Sequence, residues 1–329
     1  MLPAKKTPFA FRLSLSAFFF GFALAASAAA QPYPSKPVRM IVPFAPGGGS
    51  DLVGRVLAQK LGVALGHPVI VENRAGAGGR IGTEVVAKAP PDGYTLLFAT
   101  SSVMVTAPAL YSRLPFDMPR DFAPVSLAGI TAYLFVAHPS VPARSVKDLI
   151  ALAKERPGKM TYASSGAGGH SHLAGELLCA TAMINMIHVP YKGSSPGTLS
   201  VVAGETDTMF SNLMPALPAV KSGRLRALGV TSRERSSILP DVPVLASVLP
   251  GFVVEQHYAL LAPAGTPRAI VTTLNAEVAK AMQAADTREK LLADGSEVAV
   301  STPEQLEQRI VAEIAQWAKI IKAAGIKAE

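Results

Sequence analysis

Two stretches of this chain set glycines beside hydroxyls where a strand-like run gives way to a helix-like one. The first is Phe44, Ala45, Pro46, Gly47, Gly48, Gly49, Ser50 and Asp51. Glycine lets a backbone approach a ligand closely. The first turn of a helix carries N–H groups without intrahelical partners and a partial positive charge, so the chemistry open to such a turn is anion binding. A tight turn capped by Ser50 or Asp51 is the competing reading. The Gly-Lys-Ser/Thr ending of a Walker loop is missing, which leaves nucleotide hydrolysis without support. The second stretch, Ser164, Ser165, Gly166, Ala167, Gly168, Gly169 and His170, has the same setting. Two such turns, one in each half of the chain, are suited to converge on a single anion. His170 and His172 stand two apart, on different faces of a helix, and are expected to cap or to lie at the surface rather than hold a metal.

Two further matches fail on mechanism. Gly193-Ser194-Ser195-Pro196-Gly197 fits the G-x-S-x-G pattern of a hydrolase elbow. That elbow needs a backbone N–H on the residue after the serine, and Pro196 has none. The glycines of Gly76, Gly78 and Gly82 suggest a dinucleotide fingerprint, but they fall as G-x-G-x-x-x-G after a second strand rather than a first, and no acid ends a strand about 20 residues on. A turn packing against a neighbouring loop is expected there instead. Cys179, the only cysteine, lies in an apolar helical stretch and reads as a small core residue. No catalytic set, cofactor or metal is expected.

The elements that must position these turns follow from periodicity. Short apolar runs at 38–44, 69–71 and 95–100 alternate with helical patterns at 51–65 and 81–89, the sign of a doubly wound α/β lobe. A second unit repeats the alternation with its own sheet: strands at 133–137, 160–164, 185–189 and 208–211, and helices at 146–155, 171–182 and 197–203. Ser145 with Asp148 starts the first of these helices. Thr302, Pro303 and Gln305 open a final helix that carries Trp317 and ends at Gly325. The apolar run 252–262, broken only by Glu255, Gln256 and His257, is expected to cross back to the first unit. With a second crossing near Ile130 it would form a hinge near Val253.

Lys5, Lys6 and Arg12, an apolar run over 13–26 and Ala28, Ala29 and Ala30 make residues 1–30 a signal peptide, cleaved near Ala30. The run is about 14 residues, short of the roughly 20 that span a bilayer. About 300 residues remain, more than one core usually encloses, so two lobes are expected. These are 31–130 with 253–329, and 131–252. Without the leader's three basic residues the formal charge falls from +8 to +5. The basic residues are scattered and only 6% of the chain is aromatic, which argues against a nucleic-acid partner and fits an anionic solute.

Five motifs stand in order: Tyr33-Pro34, the loop 43–51, Asn73-Arg74 followed by Gly76-Ala77-Gly78-Gly79, Pro91-Asp92-Gly93-Tyr94-Thr95, and Val189-Pro190-Tyr191-Lys192-Gly193. With them the chain resembles the Bug-type substrate-binding proteins of tripartite tricarboxylate transporters over essentially its whole length after the leader. The resemblance implies a periplasmic two-lobed clamshell, the Venus-flytrap fold. Such a protein holds a small carboxylate between its lobes and delivers it to a membrane permease of one large and one small subunit. It also implies a ligand loop of Phe44 to Ser50 braced by Asp51, a neighbouring loop of Thr100, Ser101 and Ser102, an opposing turn of Ser164, Ser165, Gly166, Gly168 and His170, and a companion at Tyr191, Lys192 and Gly193. Met104, Asn212 and Met214 are expected to set ligand identity, with Asn212 at the ligand. A monomer is expected. A ligand sensor for a membrane receptor and an exported enzyme are the alternatives.

Overall fold

The computed structural model describes residues 1, 2, 4, 33–293 and 295–327, so the leader at 5–30 and its cleavage point lie outside the described residues. The first half alternates as the periodicity predicts: β1 (Val38–Val42), α1 (Gly49–Leu65), β2 (Val69–Asn73), α2 (Arg80–Ala87) and β3 (Thr95–Thr100). β1 and β3 are apolar on both faces because α1 and α2 cover the sheet, and Met40, Ile41, Leu96 and Phe98 are wholly buried. A π-helical turn over Ser102–Thr106 and the short α3 (Ala107–Leu110) follow.

The next strand departs from expectation. β4 runs over Phe122–Ala137, 16 residues, and begins eleven residues before the run at 133–137. Pro124 and Gly129 disguise it in the sequence; in the sheet its register shifts between Pro124 and Ser126 and again between Leu127 and Gly129, and such irregularities let a strand carry a proline. The remaining elements are α4 (Val146–Glu155), β5 (Thr161–Ser164), α5 (His170–Ala182), β6 (Ile187–Pro190), α6 (Ser194–Val202), β7 (Thr208–Asn212), α7 (Leu213–Lys221), β8 (Arg226–Val230), β9 (Glu255–Pro263), α8 (Arg268–Gln283), α9 (Ala285–Ala293), β10 (Ser296–Glu297) and α10 (Pro303–Ala323). α7, β8, α8 and α9 were not among the expected elements; α7 carries Pro218 inside it, a residue that ordinarily ends a helix.

The sheet of the first half and that of the second are joined through β4, which belongs to both. Among the described residues one path runs β2-β1-β3-β9-β4-β7-β5-β6, with β8 and β10 also on β4. β4 pairs antiparallel with β9 as far as Ala132 and with β7 from Tyr133 onward, so the change of partner happens inside one continuous strand. The backbone amide of Val254, just before β9, donates to the Thr231 carbonyl, and the Thr231 amide donates to the Tyr133 carbonyl, which ties both crossings together. Each half keeps its own apolar cluster: Val38, Leu57, Leu96 and Leu274 in the first, Leu134, Met209, Leu213 and Val230 in the second. None of the described helices is long and apolar enough to cross a membrane.

α10 closes the chain as its capping residues require. Thr302 accepts from the Gln305 amide while the Gln305 side chain accepts from the Thr302 amide, a reciprocal capping box with Pro303 in the first turn. Replacing Thr302 by alanine should lower stability by about 1 kcal/mol, read as a lower urea midpoint with an unchanged slope. The same helix brings Trp317 against His170 of α5, ring centroids 4.7 Å apart, so the C-terminus of the first half packs on the second.

Candidate functional site

Both glycine turns lie at the carboxyl ends of parallel strands, after β1 and after β5, where open α/β sheets leave room for ligands. α1 starts at Gly49, and Gly48, in extended conformation, occupies its cap position with no side-chain cap. The turn is held from behind by Asp51: its carboxylate accepts from the Gly47 amide at 3.0 Å and from Asn73 Nδ2 at 2.9 Å, and is paired with Arg55. Those bonds outweigh the burial of Asp51 and keep its carboxyl below the usual range, hence ionised. Asp51 is therefore a brace and not a cap, so the first N–H groups of α1 stay available at Gly49 and Ser50.

The second turn is satisfied internally. The Ser165 amide donates to Ser171 Oγ, the Gly166 amide to Ser164 Oγ and the Gly168 amide to His172 Nδ1, at 2.9, 3.1 and 3.1 Å. The His170 amide, first of α5, donates to Ser102 Oγ of the other half at 3.0 Å. This turn thus presents hydroxyls rather than free amides. The N-terminus of α6 stands opposite the first turn: a Cβ placed on Gly48 would lie 3.9 Å from Ser194 Cβ, and one on Gly47 would lie 3.2 Å from Ser195 Oγ. The Ala45 amide donates across to the Lys192 carbonyl at 3.0 Å. Two helix starts, α1 and α6, face each other.

Between them lies a cavity lined by Phe44, Gly48, Ser50, Thr100, Ser102, Tyr133, Ser165, Ser194, Asn212 and Gln256. Its free space is about 290 Å³. Larger depressions of about 1200 and 1190 Å³ lie on the outer surface, at 232–238 with Glu255 and Glu297, and at 108–121. They are open, and no glycine of either turn lines them, although Tyr111 of the second packs on Gly168 from outside; the small cavity is the better candidate because strand ends, helix starts and buried donors converge on it. None of its lining residues is ionisable at neutral pH. Thr100 Oγ1 is fully buried and has no hydrogen-bond partner among the described residues. The Tyr133 hydroxyl donates to Gln256 Oε1 at 2.5 Å, and burial raises the Tyr133 phenol far above its ordinary value, so it remains a donor.

Of the residues expected at the ligand, the structure brings Phe44, Gly48, Ser50, Thr100, Ser102, Ser165 and Asn212 to the cavity wall. Ala45, Pro46, Gly47, Gly49, Asp51, Ser164, Gly166, Gly168, Tyr191 and Gly193 shape the turns behind it and do not line it. Ser101 turns away, its Oγ accepting from the His257 amide at 2.8 Å. The Lys192 side chain is exposed. His170 is 1% exposed and packs on Trp317 and Tyr133, with burial pushing its pKa down to about 3, so it is neutral and faces the core instead of the surface. Met104 is buried in the core and Met214 is off the wall; of the three positions expected to set ligand identity only Asn212 lines the cavity. Tyr133, Ser194 and Gln256 were not expected. Gln256 had a signal, as a polar break in an apolar strand. Ser195 Oγ, the serine of the apparent elbow, has no hydrogen-bond partner among the described residues, so no general base holds it.

The profile of the tripartite tricarboxylate transporter family receptor, TctC, matches residues 53–326. The chain belongs to this family. BugT of Bordetella pertussis (strain Tohama I) is 40% identical over 308 residues, 92% of this chain and 94% of BugT. The structure of R. palustris Rpa4515 with adipate matches with TM-score 0.87 at 34% identity, over 90% of this chain and 99% of that one. MatC (Rpa3494) from Rhodopseudomonas palustris with bound malate matches with TM-score 0.84 at 32% identity, over 88% of this chain and all of that one. The chain also shares the α/β fold of the periplasmic binding protein BugD, which it matches with TM-score 0.86 at 34% identity, over 90% of this chain and all of that one. It is a solute-binding protein of a periplasmic family.

Proposed function

We propose that this TctC protein captures a small carboxylate in the cavity between α1 and α6 and hands it to a two-subunit membrane permease. The observation that carries the reading is the wall itself: free amides at the start of α1, the start of α6 opposite, a ring of hydroxyls and amides, and no side-chain charge to compete with the ligand's. A carboxylate there accepts from Gly49 and Ser50 N–H in the first turn of α1, and from Thr100 Oγ1, a buried hydroxyl with no hydrogen-bond partner among the described residues. Family membership and the adipate and malate bound by two structural neighbours support the ligand class.

In this reading the lobes are 31–130 with 253–329, and 131–252; they hinge where β4 changes partner and where β9 begins. Residues 1–30 act as a leader removed near Ala30. The change of pairing between Ala132 and Tyr133 supports the hinge position. A thermal-shift series on the purified chain lacking 1–30, with malate, adipate, citrate, acidic amino acids and aromatic acids, tests the reading. A bound acid at 100 times its Kd should add about 2.7 kcal/mol of stability. A series in which no carboxylate raises the melting temperature would sink it.

A further inference from the structure

We propose that His172 is the positioning residue of the second glycine turn, and that its neutral imidazole makes ligand binding sensitive to protons. This rests on the carboxylate-binding reading of the same cavity, and adds to it a residue that does not touch the cavity at all.

The geometry lies beneath the turn. The Gly168 amide donates to His172 Nδ1 at 3.1 Å. The Gly166 amide donates to Ser164 Oγ, which is 2.6 Å from His188 Nε2. The two imidazoles stack, centroids 3.9 Å apart and planes 21° apart, and the Tyr162 ring stacks on His188 at 5.0 Å. Each imidazole therefore supports one glycine of the turn, His172 directly and His188 through Ser164. The turn in turn carries Ser165, whose side chain lines the cavity, and sets the first amide of α5 against Ser102, another cavity residue.

The bond to Gly168 sets the protonation state. An imidazole nitrogen accepts from an amide only when it carries no proton, so His172 must be neutral with its hydrogen on Nε2. Protonation at Nδ1 places two donors face to face and removes the acceptor. The His172 side chain is 1% exposed, so the turn must move to relieve the clash. Among the described residues, titratable groups face it from three elements: Glu176 on its own helix, with a carboxylate oxygen 3.9 Å from Nε2; His188 from β6; and Tyr162 from β5, whose hydroxyl donates to Glu176. Glu176 favours the charged imidazole, while a proton on His188 disfavours a second one on its stacked neighbour. The sign follows from the acceptor role: the turn is held at higher pH and released as pH falls.

The test uses calorimetric titration of the chain lacking 1–30 with malate and adipate, for wild type, His172→Phe and His172→Asn. Phenylalanine keeps the ring and removes the acceptor; asparagine places an oxygen where Nδ1 stood. Wild-type affinity should fall as the pH is lowered, by more than the ligand's own titration accounts for. His172→Phe should bind about tenfold more weakly than wild type at pH 8, as expected for a lost supporting hydrogen bond of about 1.4 kcal/mol. His172→Asn should recover most of that loss and show no fall beyond the ligand's own titration. Wild-type affinity in His172→Phe, or an equally steep pH profile in His172→Asn, would overturn the assignment. A second readout needs no ligand: hydrogen exchange at the Gly168 amide should be protected in wild type and His172→Asn and unprotected in His172→Phe. If neither acid binds wild type, the ligand reading fails while amide exchange still decides the role of His172.

Discussion

Replacing Gly48 by aspartate should lower carboxylate affinity at least about 100-fold, some 2.7 kcal/mol, while leaving the melting temperature near that of wild type. Gly48 occupies the cap position of α1 with φ −85° and ψ 169°, values that aspartate adopts without strain. A Cβ there would meet nothing closer than 3.9 Å. The new carboxylate would accept from the amides of Ser50 or Asp51 and so occupy from within the place the ligand's carboxylate requires. As a cap it favours the helix by a few tenths of a kcal/mol, against some repulsion from the Asp51 carboxylate that Arg55 tempers. Gly48→Asn separates the two components, because asparagine caps equally well and carries no charge; it should lose roughly tenfold. Titration calorimetry measures both, with thermal unfolding as the control. Unchanged affinity in Gly48→Asp would show that the start of α1 is not the binding site.

The second large effect is expected at a residue outside the cavity. Gly78, at φ +64°, brings the loop after β2 so close to the second glycine turn that an added Cβ would lie 2.5 Å from the Ala167 carbonyl oxygen. Gly166 meets Gly78 from the other side, its own Cβ position 2.9 Å from the Gly78 nitrogen. This is backbone against backbone across the two halves, and neither side has a flexible atom to yield. Asparagine tolerates the left-handed conformation, so Gly78→Asn inserts a wedge with little local strain. The variant should hold the halves apart, move Ser102 and Ser165 out of register, and bind at least about tenfold more weakly, because a ligand that contacts both walls is bound best by the closed form. Small-angle scattering at saturating ligand should give a larger radius of gyration than liganded wild type, with unchanged circular dichroism. Wild-type affinity and compactness together would show that this contact does not limit closure.

The glycine turns were legible because their signal is local. A run of glycines between a strand-like and a helix-like stretch constrains backbone conformation within a few residues, and Phe44, Gly48, Ser50, Ser102 and Ser165 reached the cavity wall from that reasoning together with family resemblance. Periodicity likewise placed α1, β3, α4 and α10 to within a residue or two. It failed at β4, where a proline and a glycine interrupt the alternation and are accommodated by register shifts that only the partner strand β9 makes possible. The capping or surface place expected for His170 failed for a related reason: its type and its position at a helix start suggest either, yet the side chain is buried against Trp317, 147 positions later in the chain.

By itself the sequence determined the α/β class, through the periodicity of its apolar runs, and the glycine turn at the α1 start, through conformational limits acting over short spans. Only the tertiary structure decided which donors stay free. The amides of the second turn look equivalent to those of the first in sequence, but Ser164, Ser171 and His172 satisfy them from beneath, whereas Asp51 braces the first turn at Gly47 and leaves Gly49 and Ser50 open. Tyr133 and Gln256, 123 positions apart, meet at the cavity floor because β4 and β9 cross there side by side. Hydrogen bonds act at about 3 Å in space and are indifferent to separation along the chain, so the balance of satisfied and unsatisfied donors that makes the site exists only once the two halves have closed.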